Sequence, residues 1–124
     1  MAKMSVRDFQ LDTACPDTRA LVEHLTSKWG VLVLLTLDDQ TLRWSELKRA
    51  IDGVSEKMLI QTLQTLEADG LVLRTALPVV PPHVEYSLTD SGREAATLLA
   101  PLVQWAQEQV QEQVRQQAQG KVRA

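Results

Sequence analysis

The residues best able to do chemistry lie on one short polar stretch between leucines. They are Lys57, Gln61, Thr62, Gln64 and Thr65. Side chains of these types donate hydrogen bonds to phosphate oxygens, and glutamine and threonine also pair with base edges in a DNA major groove. An ordinary amphipathic helix with a solvated polar face would carry the same residues, so the neighbouring elements must decide between the two interpretations.

The sequence contains signals for both ends of the helix that carries these side chains. Ser55 suits the N-cap, and Val54 and Leu59 are spaced as a hydrophobic staple. Gly70 stands where a left-handed residue closes a helix in a Schellman motif. Leucines recur inside this stretch at the i, i+4, i+7 spacing of a buried stripe. The pattern predicts a helix over residues 56–69.

A second reactive position is Cys15, the single cysteine of the chain. Pro16 follows it and opens a predicted helix, and a helix N-terminus stabilises a thiolate and lowers the pKa of the thiol. One thiol per chain allows a link between subunits, a mixed disulfide or alkylation by an electrophile. The alternative is a small, unreactive residue that packs before Pro16.

Other chemistries find no support in the residue pattern. His24 and His83 are the only histidines, too few beside Cys15 for a structural zinc site. Neither a spaced nucleophile-histidine constellation nor a glycine-rich phosphate loop is present. We therefore expect no enzyme, no metal and no cofactor.

Composition restricts the class of protein further. A chain of 124 residues is one domain by size. Its 13 basic and 16 acidic residues leave a formal net charge of -3, so any nucleic-acid binding must come from a local patch. Neither a signal peptide nor a transmembrane stretch is recognisable. We expect a soluble, cytoplasmic protein without a membrane partner.

The first half of the chain reads as four helices. Residues 1–14 are predicted to form an N-terminal arm. The helix from Pro16 buries Leu21, Val22 and Leu25, and Ser27 caps a central helix that is apolar nearly all round, for which a buried strand is the alternative. Next come a turn at 38–40, an extended piece at 42–44 and a helix at 45–51 that turns Leu47 and Ile51 inward. A Gly-containing turn joins this helix to the polar helix, and the two helices with their turn form a helix-turn-helix.

The second half reads as a wing followed by a long helix. Strands at 71–77 and 84–88 flank a proline-rich tip. Thr89 caps the last helix, whose apolar stripe is too long for so small a domain and is expected to pair with a second copy. Pro101 lies within it and predicts a kink or a break. Trp29 and Trp44 are expected in the core, and Trp105 in the core or the dimer interface.

Six runs of residues, taken in order, resemble those of the HxlR-type transcriptional regulators. They are Cys15-Pro16, Lys28-Trp29, Trp44-Ser-Glu-Leu-Lys-Arg49, Val54-Ser-Glu-Lys-Met-Leu59, Leu66-Glu-Ala-Asp-Gly-Leu71 and Pro81-Pro-His-Val-Glu-Tyr-Ser-Leu-Thr89. The resemblance covers residues 15 to about 105. It implies a mainly α winged helix-turn-helix with a small antiparallel β wing and with N- and C-terminal helices extended for dimerisation. The expected domains are an arm at 1–14, the winged helix at 15–106 and a Gln-rich helical extension at 107–124.

The resemblance also implies a function and its residues. Members of this family are homodimers that bind pseudo-palindromic double-stranded DNA operators, with half-sites roughly 10 to 21 bp apart by the usual geometry. The expected DNA contacts are Arg43, Lys48, Arg49, Ser55, Lys57, Gln61, Thr62, Gln64, Thr65, Arg74 and His83. The expected dimer contacts are Leu21, Leu98, Leu102, Trp105 and Val110. In several members the cysteine matching Cys15 senses oxidants, quinones or aldehydes.

Two features of this chain depart from the family pattern. Many relatives carry arginines at Thr62 and Gln64, and Arg or Lys at His83. Fewer fixed charges would then face phosphates, and readout would depend on polar side chains. Arg74 has an alternative partner in Glu85 across the wing. A winged-helix module that binds protein instead of DNA remains the competing function.

Overall fold

The computed structural model describes residues 15–123 of the chain, with side chains as far as residue 120. The elements in order are α1 (Pro16–Thr26), α2 (Lys28–Thr36), β1 (Leu42–Arg43), α3 (Trp44–Ala50), α4 (Glu56–Ala68), β2 (Val72–Leu77), β3 (His83–Leu88) and α5 (Asp90–Arg123). The strands form one antiparallel sheet in the order β1-β3-β2. This confirms the predicted fold class, a mainly helical winged helix-turn-helix. The arm predicted at 1–14 lies outside the described residues.

Helix α2 lies at the centre of the fold, as its sequence predicted. Val33 and Leu34 are fully buried, and α2 packs against α1, α3, α4 and α5. Ser27 caps it by accepting a hydrogen bond from the Gly30 N–H at 3.2 Å. A helix rather than a strand forms here because four helices pack around it and bury most of its apolar surface.

The core lies between α2, α3, α4 and the base of the sheet. Its fully buried side chains include Leu34, Leu47, Leu59 and Leu63. Trp29 and Trp44 pack on its edge, half-buried. The prediction that Leu21 and Val22 are buried is wrong for the single chain, in which they are 38% and 47% exposed.

Both ends of α4 form as the sequence predicted. The Ser55 hydroxyl accepts from the Met58 N–H at 3.1 Å. At the other end Gly70 has φ +77°, and the Leu71 N–H donates to the Leu66 carbonyl at 2.9 Å, which are the marks of a Schellman motif. The direction in which the chain leaves α4 is therefore set by local hydrogen bonds.

The wing has a register that separates Arg74 from Glu85. Arg74 lies opposite Tyr86, and Glu85 lies opposite Thr75 on β2 and Arg43 on β1. Because side chains alternate between the two faces of a sheet, Arg74 and Glu85 point to opposite faces. The proposed Arg74–Glu85 pair is therefore wrong.

Helix α5 is continuous through Pro101 over 34 residues. At 1.5 Å per residue it is about 51 Å long. The predicted break is not found, because proline withdraws only the hydrogen bond to the Thr97 carbonyl while the turns on either side keep theirs. Within residues 15–123 no helix combines the length and apolar character needed to span a membrane.

The start of α5 is fastened to the end of α4. Thr89 Oγ1 donates to the Gly70 carbonyl at 2.6 Å, and the Thr89 N–H donates to the Leu71 carbonyl at 3.0 Å. The same hydroxyl accepts from the Gly92 N–H at 3.0 Å and so caps α5, as predicted. A Cβ at Gly92 would lie 2.1 Å from the Leu71 carbonyl oxygen. Glycine is required here for the two helices to meet.

We expect Gly92→Ala to destabilise the fold by about 1–3 kcal/mol, because the added methyl group would force α5 away from Leu71. Urea denaturation followed by circular dichroism measures this loss. Gly120→Ala is the matched control, since nothing lies within 4 Å of its Cβ position, and it should be neutral or slightly stabilising. Equal stability of the two variants would contradict the close approach.

Candidate nucleic-acid interface

The exposed side of α4 carries a stripe of three polar residues. Lys57, Gln61 and Gln64 are exposed and stand at i, i+4 and i+7, opposite the buried leucines of the same helix. Ser55 lies at the start of this stripe, although its oxygen already accepts the capping hydrogen bond. We call Lys57, Gln61 and Gln64 the outer stripe.

Thr62 and Thr65 lie on a different side of α4. Both are half-buried and line a cleft of about 190 Å³ that separates α4 from the end of α1. Thr62 Oγ1 donates to the Met58 carbonyl at 2.7 Å, so its proton is used within the helix. We call this space the α1–α4 cleft; its other wall consists of Glu23, His24 and Ser27. The fold thus divides the polar residues of α4 into two groups.

On the wing side, Gln64 and Arg74 come together. They line a crevice of about 440 Å³ between α4 and the wing, together with Tyr86 and Glu67. Arg74 and Tyr86 share a sheet face because they lie opposite each other in the register. A guanidinium and an amide at the mouth of one crevice form a suitable pair of donors for a phosphate oxygen, although Glu67 adds a carboxylate nearby.

His83 lies apart from this group, on the opposite face of the wing. Its register partner is Leu77, and its Nε2 is 3.6 Å from Glu85 Oε1 on the same strand. The side chain is 25% exposed. The structure therefore does not bring His83 together with Arg74 and the outer stripe.

The cations before α4 lie at and within α3. Arg43 is exposed, and its backbone N–H donates to Glu46 Oε1 at 2.9 Å, which leaves its guanidinium free of that cap. Arg49 is exposed and bonds the Ser45 carbonyl through Nε at 3.3 Å, while Lys48 is half-buried. None of the three basic side chains forms an ion pair with another described residue.

Helix α5 exposes a long apolar surface. Leu98 is 78% exposed, Leu102, Trp105 and Val110 are between 57% and 59% exposed, and Leu21 of α1 is also exposed. Contiguous apolar side chains on a helix of this length are typical of an interface. The described chain alone supplies nothing that covers them.

Cys15 occupies the N-cap position of α1 and is partly exposed. Its side chain makes no capping hydrogen bond of ordinary geometry. Even so, the Thr18 hydroxyl, and then the backbone N–H groups of Thr18 and Asp17, hold the pKa of the Cys15 thiol below its usual value of 9.0. The thiol is therefore partly exposed and has a lowered pKa.

One contact that sequence reasoning missed ties α1 to α4. His24 Nδ1 donates to Asp69 Oδ2 at 2.8 Å, and Asp69 is the C-cap of α4. The two residues are 45 positions apart. Local spacing along the sequence carries no signal of such a pair.

Comparison with known proteins identifies the class to which this fold and surface belong. Residues 24–114 match the model of the HxlR-like helix-turn-helix family. The chain belongs to that family and is a transcriptional regulator of the helix-turn-helix type. The resemblance inferred from six sequence runs is confirmed. Because the family and its members are transcriptional regulators, the expectation that the chain is not an enzyme is confirmed as well.

Individual relatives are similar over most of the chain. The uncharacterized HTH-type transcriptional regulator YtfH of Escherichia coli (strain K12) is 55% identical over 91 residues, which are 73% of this chain and 71% of YtfH. A solved structure of the transcriptional regulator ytfH from Salmonella typhimurium has 47% identity and a TM-score of 0.76, covering 86% and 94% of the two chains. The redox regulator HypR in its oxidized form has 32% identity and a TM-score of 0.69, covering 76% and 96%.

We expect Thr18→Val to raise the pKa of the Cys15 thiol, because it removes the hydroxyl that contributes most to stabilising the thiolate. The thiolate fraction at pH 7 then falls. Alkylation of Cys15 by iodoacetamide should become slower at pH 7, and its rate-pH curve should move to higher pH. Thr26→Val, at the far end of α1, should leave the curve unchanged. If Thr18→Val leaves the curve unaltered, the Thr18 hydroxyl does not lower the pKa of Cys15.

Proposed function

We propose that this regulator binds DNA sequence-specifically as a homodimer, on a pseudo-palindromic double-stranded operator. Each subunit places α4 in a major groove and its wing on the flanking backbone or minor groove. The observation that carries the proposal is the outer stripe. Three polar side chains without a carboxylate among them stand exposed on a helix whose two ends are held by hydrogen bonds.

The side chains on and around α4 fall into two groups: cations that would contact phosphates and amides that would read base edges. Arg43, Lys48, Arg49 and Arg74 supply the candidate phosphate contacts on either side of α4. Gln61 and Gln64 carry no charge but can donate and accept together, which suits adenine. With only Lys57 charged in the outer stripe, sequence-independent affinity should be modest and specificity should depend on the amides.

A second copy of the chain is the natural partner for α5 and α1. The exposed stripe of α5 and Leu21 of α1 would be buried between two subunits, with Leu98, Leu102, Trp105 and Val110 at the centre. Burying apolar surface supplies the free energy of association. A two-fold axis would then set the separation of the two copies of α4, and with it the half-site spacing.

Regulation through Cys15 is supported by its geometry and by a relative. The thiol is partly exposed, its pKa is lowered, and it lies at the N-cap of a helix proposed to contact the partner. A relative of similar fold, HypR, is a redox regulator. Oxidation or alkylation at Cys15 by an oxidant, quinone or aldehyde would alter the start of α1 and so the placement of α4 in the dimer.

The deciding experiment is selection of genomic DNA fragments by the reduced protein, followed by titration of the best site before and after treatment with a quinone. Enrichment of an inverted repeat would support sequence-specific DNA binding by a dimer. Loss of binding on treatment, with binding retained by Cys15→Ser, would support sensing through Cys15. Enrichment of no sequence would favour the alternative, a winged helix that binds a protein through the same surface, to which the net charge of -3 is better suited.

Gln61→Ala should weaken operator binding by about 1–3 kcal/mol while leaving binding to random DNA nearly unchanged, because an amide that pairs with a base edge contributes only to the correct sequence. Fluorescence anisotropy with both DNAs measures the two affinities. Gln111→Ala on α5 makes the same chemical change on an exposed surface distant from α4 and should leave both affinities unchanged. Equal losses on both DNAs would exclude base reading by Gln61.

Lys57→Ala should weaken operator and random DNA together, since a phosphate contact is independent of sequence. The slope of log affinity against log salt should fall in magnitude by about 1. Titrations at three salt concentrations determine that slope. If neither affinity nor slope changes, Lys57 does not contact the backbone.

Leu102→Glu should convert the dimer to monomers at micromolar concentration, because dimerisation would bury an unpaired carboxylate. Light scattering gives the mass directly. Val80→Glu at the wing tip is the control, since Val80 is 99% exposed and outside the α5 stripe, and this variant should remain dimeric. A dimer in both variants would place the interface elsewhere.

A further inference from the structure

The α1–α4 cleft shares only Gln61 with the proposed DNA contacts. It lies between the last turn of α1 and the flank of α4 and has a volume of about 190 Å³. The hydrogen bond from His24 to Asp69, at 2.8 Å, joins its two walls. A space of this size suits a single ring with a short substituent, placed between the two helices that this hydrogen bond joins.

The walls of the cleft combine apolar and polar groups in the way of a ligand site. Leu66 and the partly exposed Met58 supply the apolar surface. Gln61 and Thr65 bring an amide and a hydroxyl, for neither of which the described residues provide a side-chain hydrogen-bond partner. An apolar surface with a few convergent polar groups is typical of small-molecule sites.

The charge on the walls selects the ligand. Glu23 contributes a carboxylate that no described residue neutralises in an ion pair. His24 is occupied with Asp69. No lysine or arginine lines the cleft. A carboxylate ligand would therefore be repelled and an ammonium group attracted.

The cleft also remains open in the dimer proposed above. Glu23 and Leu21 are two positions apart on α1, which turns their side chains about 200° apart around the helix axis. The side of α1 that carries Leu21 can meet a partner subunit while the side that carries Glu23 faces α4. A ligand can therefore enter the assembled regulator.

We propose that the α1–α4 cleft binds a small primary amine with an apolar ring or chain, with the ammonium group at Glu23 and the apolar part against Met58 and Leu66. Gln61 lines this cleft and also belongs to the outer stripe. Resting on the proposed function, the consequence is that a bound amine draws Gln61 away from DNA and acts as an inducer. By linkage, operator DNA weakens amine binding by the same factor.

Binding is tested on the full-length chain without DNA. Benzylamine is titrated into the ¹⁵N-labelled protein, and its neutral and anionic counterparts, benzyl alcohol and benzoate, are titrated separately. We expect saturable shifts of the Thr62 and Thr65 amides and of the Gln61 side chain with benzylamine, weaker binding of the alcohol and none of benzoate. Equal binding of the three probes, or shifts scattered over the surface, would overturn the proposal.

The role of Glu23 is tested by Glu23→Gln. This variant should bind benzylamine about fivefold more weakly, the effect of one exposed ion pair. Glu94→Gln, an exposed position on α5, is the matched control and should bind as the parent does. Unchanged affinity in Glu23→Gln would exclude the carboxylate as the amine's partner.

Regulation is tested separately on the selected operator. With benzylamine at ten times its own dissociation constant, full competition raises the apparent Kd for the operator about elevenfold. An unchanged Kd would overturn the inducer role and leave the amine site standing. Should selection yield no operator, the proposed function fails while the titrations without DNA still decide the amine site.

Discussion

The structure depends on how the end of α4 is held. Asp69, Gly70 and Leu71 leave α4 through a left-handed turn, and each makes a contact with another part of the fold. His24 at the end of α1 bonds Asp69, and Thr89 at the start of α5 bonds the carbonyls of Gly70 and Leu71. The two helices proposed to form the dimer are therefore fastened to the helix proposed to read DNA.

This junction would connect the proposed dimer interface to the proposed DNA-reading helix. Gly92 allows α5 to approach the Leu71 carbonyl more closely than any side chain would permit. A displacement of α1 or α5 would therefore reach α4 through these hydrogen bonds. Chemistry at Cys15, at the far end of α1, would act through the same connection.

Sequence reasoning recovered the local features of the site and missed its non-local ones. The caps at Ser55 and Gly70 were predictable because the residues that determine a helix end lie within a few positions of one another. The outer stripe followed from helical periodicity. Three features could not be predicted, since each depends on which elements become neighbours. They are the position of Thr62 and Thr65 in the α1–α4 cleft, the separation of His83 from Arg74, and the His24–Asp69 hydrogen bond.

The sequence by itself determined the element order, the helix-turn-helix, the wing and the family, because capping, periodicity and the six motif runs are properties of contiguous residues. Only the tertiary structure decided the wing register, the unbroken course of α5 through Pro101 and the cleft beside α1. Register depends on pairing between strands, and a cleft depends on the distance between helices whose residues are some forty positions apart. Such distances are fixed by packing and leave no pattern along the chain.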